Sequence, residues 1–136
     1  MIYEFEVPGK IIGKGRPRLN HYTGNIYTPT KTKDYEELIQ QYFLLKYPRF
    51  KMMEGRAKVN IVAQFAIPKT TKKKEVQDML ENNISPTKKP DIDNIVKSIL
   101  DSMNNFAFKD DIQITKLEVE KVYSLEEKIC IKIENY

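Results

Sequence analysis

The most chemically suggestive residues of this chain are Lys88-Lys89-Pro90-Asp91-Ile92-Asp93-Asn94-Ile95-Val96-Lys97-Ser98-Ile99-Leu100-Asp101, followed by Lys109-Asp110-Asp111. Two carboxylates one residue apart stand at the start of a predicted helix. A lysine comes four residues after the second, and another acidic pair closes the next connection. Hard divalent cations take oxygen ligands, and a cation beside a positive side chain is the equipment of phosphodiester hydrolysis. The same residues have ordinary uses as well. Asp93 alone suits a helix N-cap, and Asp93, Lys97 and Asp101 at four-residue steps make an ion-pair ladder. Neither use accounts for Asp91 beside Asp93, or for Asp110 beside Asp111. Repelling carboxylates gathered without a structural need point to a cation between them.

Three other phosphate or metal motifs do not fit. An EF-hand loop counted from Asp91 needs Gly at its sixth and Glu at its twelfth position, where this chain has Val96 and Ser102. An aspartyl-phosphate enzyme carries its Asp-x-Asp at the end of an apolar strand, whereas Thr87-Lys88-Lys89-Pro90 comes first here. Gly13-Lys14-Gly15-Arg16 lacks the spacing of a P-loop.

The elements that must position these residues follow from periodicity. Ile2 to Val7 alternates apolar and charged residues and predicts a strand ending at Pro8-Gly9. Gly9 to Thr30 is rich in Gly, Pro, Asn and basic residues and predicts a long functional loop with a hairpin around Gly24-Asn25. A helix is expected from Lys33 to Lys46, with Tyr35, Leu38, Ile39, Tyr42 and Phe43 as its stripe, Thr32 as N-cap and Pro48 beyond its end. Lys58 to Ile67 is the clearest strand, and a short helix is possible from Lys73 to Glu81. The site-bearing helix is expected over Asp93–Asn104, burying Val96, Ile99, Leu100 and Met103. Asp91 and Asp93 are placed together on its extended approach, and Asp93, Lys97 and Asp101 on a neighbouring arc. Strands over 113–123 and 128–134 are expected to pair as a hairpin. The order β-α-β-α-β-β predicts one α+β domain over residues 1–136, a mixed sheet with two main helices packed on it.

Composition narrows the partners. Lys plus Arg number 23 against 19 Asp plus Glu, a net charge of +4 at pH 7. The excess is uneven: residues 1–33 hold Lys10, Lys14, Arg16, Arg18, Lys31 and Lys33 against Glu4 and Glu6 alone. A localised basic surface favours a polyanion. Glycines around Lys10, Lys14, Arg16 and Arg18 let backbone amides approach phosphates, and arginines fork onto them. Lys72-Lys73-Lys74 reads as a solvated run, Tyr22 and Tyr27 as turn packing, and the lone His21 as structural or solvated. Cys130 is the only cysteine, which rules out an internal disulfide and argues against a zinc cluster. No apolar run approaches membrane-spanning length and MIYEFEVPGK has no signal-peptide core, so the expected location is the cytoplasm, with no membrane partner.

The motif Lys-Pro-Asp-Ile-Asp-Asn-Ile-Val-Lys-Ser-Ile-Leu-Asp, then Asp-Asp after a short gap, resembles the RusA family of Holliday-junction resolvases. Gly13-Lys14-Gly15-Arg16-Pro17-Arg18 and the segment from Tyr27-Thr28-Pro29 to Tyr35-Glu36 resemble its phage and prophage branch. The resemblance implies that Asp91, Asp93 and Asp111 bind metal, with Asp110 the less certain of its pair, and that Lys97 is the catalytic lysine. It also implies a homodimer that uses Mg²⁺ or Mn²⁺, no organic cofactor, and paired nicks in four-way junction DNA. Lys10, Lys14, Arg16, Arg18, Lys88 and Lys89 are then the DNA-binding residues, and Asp101 supports Lys97. Some members carry arginine immediately before the first aspartate, where this chain has Pro90. Two alternatives remain open on the residues alone: a DNA-structure-binding module without catalysis, and a less selective metal-dependent DNA nuclease.

Overall fold

Alternating side chains make the first strand, β1 (Ile2–Pro8), one-sided: Tyr3, Phe5 and Val7 are buried and Glu4 and Glu6 exposed. The same two-residue period buries Ala57, Val59, Ile61, Ala63 and Phe65 of β4 (Ala57–Ala66) and Ile129, Ile131 and Ile133 of β6 (Lys128–Asn135). With β5 (Ile114–Ser124) they form a four-stranded mixed sheet in the order β1-β6-β4-β5. In it β6 runs antiparallel to both neighbours, while β4 and β5 are parallel. The computed structural model describes every residue from Met1 to Tyr136.

Two helices, α1 (Thr30–Lys46) and α3 (Ile92–Met103), close the apolar face and share one core with the sheet. Phe43 of α1 is fully buried at the centre of an aromatic cluster. Its ring meets those of Tyr3, Phe5 and Phe50 edge-on at 5.1, 5.5 and 5.5 Å. The short α2 (Lys73–Leu80) buries no residue, and Lys72, Lys73 and Lys74 before and within it are exposed, as a solvated run should be. A small hairpin, β2 (Arg18–Leu19) with β3 (Ile26–Tyr27), stands apart from the main sheet. The architecture is thus α+β, with a mixed sheet and two main helices. No helix is long and apolar enough to cross a membrane.

The structure corrects three local expectations. First, β5 and β6 are not a hairpin, because β4 lies between them and pairs with both. Leu125, Glu126 and Glu127 arch over the end of β4, where Ile67 N–H donates to Ser124 O and the Glu127 carboxylate accepts from Ala66 N–H. Adjacent strands are about 4.8 Å apart and an extended residue spans about 3.4 Å, so this short link suffices to cross two strand spacings. The physical reason is burial: β6 fills one face completely, whereas β5 has no buried residue and belongs at an edge. Second, α1 starts at Thr30 after Pro29, so Thr32 lies inside the helix and does not cap it. Third, the buried stripe of α3 is rotated towards Ile95, Ser98, Ile99, Ser102 and Met103, leaving Val96 and Leu100 only partly covered.

Replacing Phe43 by Ala should remove the shared contact of β1, α1 and the 47–50 turn. We expect a loss of about 3–5 kcal/mol of unfolding free energy, read from urea denaturation monitored by circular dichroism.

Candidate active site

Asp91 occupies the N-cap position of α3 in extended conformation, yet its side chain makes no capping hydrogen bond. Asp93 lies one turn-step inside the helix, not on the extended approach expected from the sequence. Both carboxylates are exposed, and neither takes part in an ion pair. A free carboxylate at an N-cap leaves unused a bond that commonly contributes about 1 kcal/mol to helix stability. The helix dipole still favours both charges there.

The second acidic pair divides its labour. Asp110 caps a single 3-10 turn over Asp111–Gln113, accepting from Ile112 N–H at 3.1 Å. Gln113 completes the box by accepting from Lys109 and Asp110 N–H, and its amide donates to Met53 O and Gly55 O, both at 2.9 Å. Gln113 therefore clamps the turn to the segment before β4. Sequence reasoning passed over it, although Asp-x-x-Gln ahead of a strand carries the capping-box signal. Asp111 is left free of structural duty. Partial burial, then the neighbouring Asp110 carboxylate, push its pKa up, with a smaller push from Asp101; the Lys97 charge works the other way. No group of three acidic, histidine or cysteine side chains stands close enough to form a ready-made metal cage. Asp91 and Asp93 at the head of α3, and Asp111 within electrostatic reach of Lys97, are presented as separate carboxylates.

The glycine-rich loop is a strap laid over α3. Ser98 Oγ donates to Ile12 O at 3.3 Å, Lys14 N–H donates to Asn94 O at 2.9 Å, and Gly15 N–H donates to Thr32 Oγ1 at 2.8 Å. Gly13 is required for this approach, since a Cβ there would stand 2.7 Å from Pro90 Cβ and 3.0 Å from Asn94 Cβ. The strap delivers Lys14 between two carboxylates, Glu36 Oε1 at 2.6 Å and Asp101 Oδ2 at 3.2 Å, while Asp101 Oδ1 holds Lys97 Nζ at 3.1 Å. Partial burial works against the Lys14 ammonium, but its bonds to Glu36 and Asp101 outweigh that and hold its pKa above the ordinary lysine value. Asp101, expected only to steady Lys97, joins two lysines.

Beside the strap, a cleft of about 540 Å³ is lined by Lys10, Lys14, Arg16, Lys89, Asp91 and Asn94 among others. An adjoining cleft adds Lys88, whose ammonium lies 5.7 Å from the centre of the Phe65 ring. Five of the six expected DNA-binding residues therefore border the approach to Asp91. Arg18 lies on the β2–β3 hairpin, and both it and Arg16 are exposed without an acidic partner. The hairpin tip is held by Asn20, whose side chain accepts from Tyr22 and Thr23 N–H. Tyr22 does not pack in the turn as expected: it is 99% exposed, and Tyr27 47%. His21 is exposed.

A family model described as endodeoxyribonuclease RusA matches residues 8–134 of the chain. The chain belongs to the RusA family. A relative in Bacillus subtilis (strain 168), named as uncharacterized protein YqaN, is 29% identical over 134 residues, covering 96% of this chain and 94% of its own length. In this RusA-family chain the residue before the first aspartate has a structural part: Pro90 forms the wall against which Gly13 of the strap rests.

Two outcomes follow from this geometry. Gly13→Ala should force the strap away from Pro90 and Asn94, costing about 1–3 kcal/mol in urea denaturation. Asp111 has a raised pKa, so its ionised form is disfavoured in the folded protein. The stability it contributes is full below the usual carboxylate range and is lost as pH rises through the raised value. Asp111→Asn should accordingly raise the melting temperature at pH 7 in EDTA, and the gain should vanish as the pH falls below the carboxylate range.

Proposed function

We propose that the protein is a structure-selective endodeoxyribonuclease that resolves four-way DNA junctions by paired symmetric nicks. It acts as a homodimer with Mg²⁺, for which Mn²⁺ substitutes. The observation that carries this reading is the basic cleft that ends on Asp91: lysine and arginine side chains border this free carboxylate at the head of α3. Lysines and arginines that track a backbone supply most of the affinity for nucleic acid. The exposed Tyr22 on the neighbouring hairpin offers a face for an unstacked base.

The donor set fits a hard divalent cation. Its members are carboxylates, Asp91 lacks a cap bond, and Asp93 and Asp111 lack an ion partner. Asp91, Asp93 and Asp111 would hold the ion, with Asp110 occupied by its capping role. When bound, the cation activates water and offsets charge on the phosphate oxygens. The chain's own residues do the rest. Lys10, Arg16, Lys88 and Lys89 bind and orient the backbone, and Lys97 presents its ammonium to the charge that builds on the scissile phosphate. Two opposed cuts require two equivalent sites, which a two-fold dimer supplies and a monomer does not.

The test is end-labelled four-way junction and matched linear duplex, each with and without Mg²⁺, with the cuts mapped on every strand. We expect symmetric, Mg²⁺-dependent cuts confined to the junction. Equal cutting of linear duplex would favour a less selective nuclease, and junction binding without nicking would favour a binding module. Asp93→Asn should slow cleavage at least about 100-fold while leaving junction affinity in EDTA within about twofold. Undiminished Mg²⁺-dependent cleavage by that variant would overturn the site assignment.

A further inference from the structure

We propose that Lys14 and Asp101 form a positioning pair for Lys97, so that Lys14 acts on the reaction through Asp101 and not by gripping the DNA backbone. This rests on the reading of Lys97 as the lysine that faces the scissile phosphate. Its starting point is the way Asp101 is used. One carboxylate oxygen holds Lys97 Nζ at 3.1 Å and the other holds Lys14 Nζ at 3.2 Å. The Lys97 side chain is 58% exposed, and an exposed i,i+4 pair by itself contributes only about 0.3–0.5 kcal/mol, too little to fix a long side chain. What differs here is the anchor. The Asp101 side chain is only 19% exposed and is pinned from its far side, so Lys97 leans on a fixed carboxylate.

Lys14 is itself built in. Its side chain is 19% exposed, and Glu36 holds its ammonium at 2.6 Å. Its backbone N–H donates to Asn94 O, and Gly15 N–H donates to Thr32 Oγ1. Gly13 beside it leaves no room for a side chain against Pro90 and Asn94. A lysine that grips phosphates needs reach and a free ammonium. This one is short of both, in contrast to Arg16 and Arg18, which are exposed and unpaired. Charge supports the same conclusion. Without Lys14 both oxygens of Asp101 would be free to hold Lys97 against the helix, whereas Lys14 satisfies Glu36 and takes one of them. Lys97 is then held by a single oxygen, with donors left for a phosphate.

The test compares Lys14→Gln, Lys14→Arg, Asp101→Asn and the double variant Lys14→Gln/Asp101→Asn with the full-length wild type. Three quantities are read: single-turnover junction cleavage in Mg²⁺, junction affinity in EDTA, and melting temperature, with assays run well below the lowest transition. Lys14→Gln and Asp101→Asn should each slow cleavage by about 10- to 100-fold, the range that misplacement of a reacting group produces. The double variant should be no slower than the slower single variant, because both changes break one link. Affinity in EDTA should stay within about twofold for Lys14→Gln, and Lys14→Arg should recover most of the rate. If Lys14 instead grips DNA, Lys14→Gln weakens binding in EDTA as much as it slows cleavage. That result overturns the proposal. Wild-type protein that leaves the junction uncut overturns the nuclease reading itself, whereas wild-type cleavage that Asp101→Asn leaves unchanged overturns this inference alone.

Discussion

Negative charge along α3 is the constraint that the loop and helix packed against it answer. Asp91, Asp93 and Asp101 lie along one helix, Asp111 faces its middle, and Glu36 approaches from α1. Carboxylates at short range destabilise one another unless cations stand between them, and the effect grows as water is excluded. Lys14 and Lys97 answer the inner part of this cluster, through Asp101 and Glu36. At the outer part, Asp91 and Asp93 are left unanswered by the protein. The division separates charge that the fold neutralises for itself from charge it leaves available.

The neutralised part explains why so much of the N-terminal segment is spent on the strap. Bringing Lys14 to Asp101 requires the chain between β1 and the β2–β3 hairpin to cross α3 at backbone contact distance. That crossing calls for Gly13 against Pro90 and for a hydroxyl on Thr32 to receive Gly15 N–H. The same crossing sets Lys10 and Arg16 on the rim of the cleft that leads to Asp91. One backbone path therefore serves both the internal charge balance and the basic approach.

Much of this was legible in the residues, for reasons that also explain what was not. Two-residue alternation identified β1 and β4, and helical spacing identified α1 and α3, because burial imposes those periods directly. Asp91 beside Asp93, and Asp110 beside Asp111, stood out because repelling neighbours point to a cation between them. What escaped depends on which strands are neighbours and on contacts across the fold. The pairing of β6 with β1 and β4 cannot be inferred from the short link that follows β5. Thr32 suits a cap by type, but its hydroxyl serves the strap. Lys14 reads as one more basic loop residue until Glu36 and Asp101 are seen on either side of it. Residue type does not separate Asp110 from Asp111, and the capping bond to Ile112 shows what Asp110 does.

The position of β6 has a consequence for how the molecule is made. It is the last strand in the chain, yet it is hydrogen-bonded on both edges, to β1 at the N-terminus and to β4 in the middle. Until β6 is in place, β1 has no partner in the sheet and the floor beneath α1 and α3 is incomplete. The Glu127 carboxylate, just ahead of β6, accepts from Ile11 N–H at the root of the strap. The strap that carries Lys14 thus loses one of its tethers in any chain cut short before that point. Pairings between such distant segments close slowly. The carboxylates of α3 and the basic strap are therefore set in place only once β6 has docked.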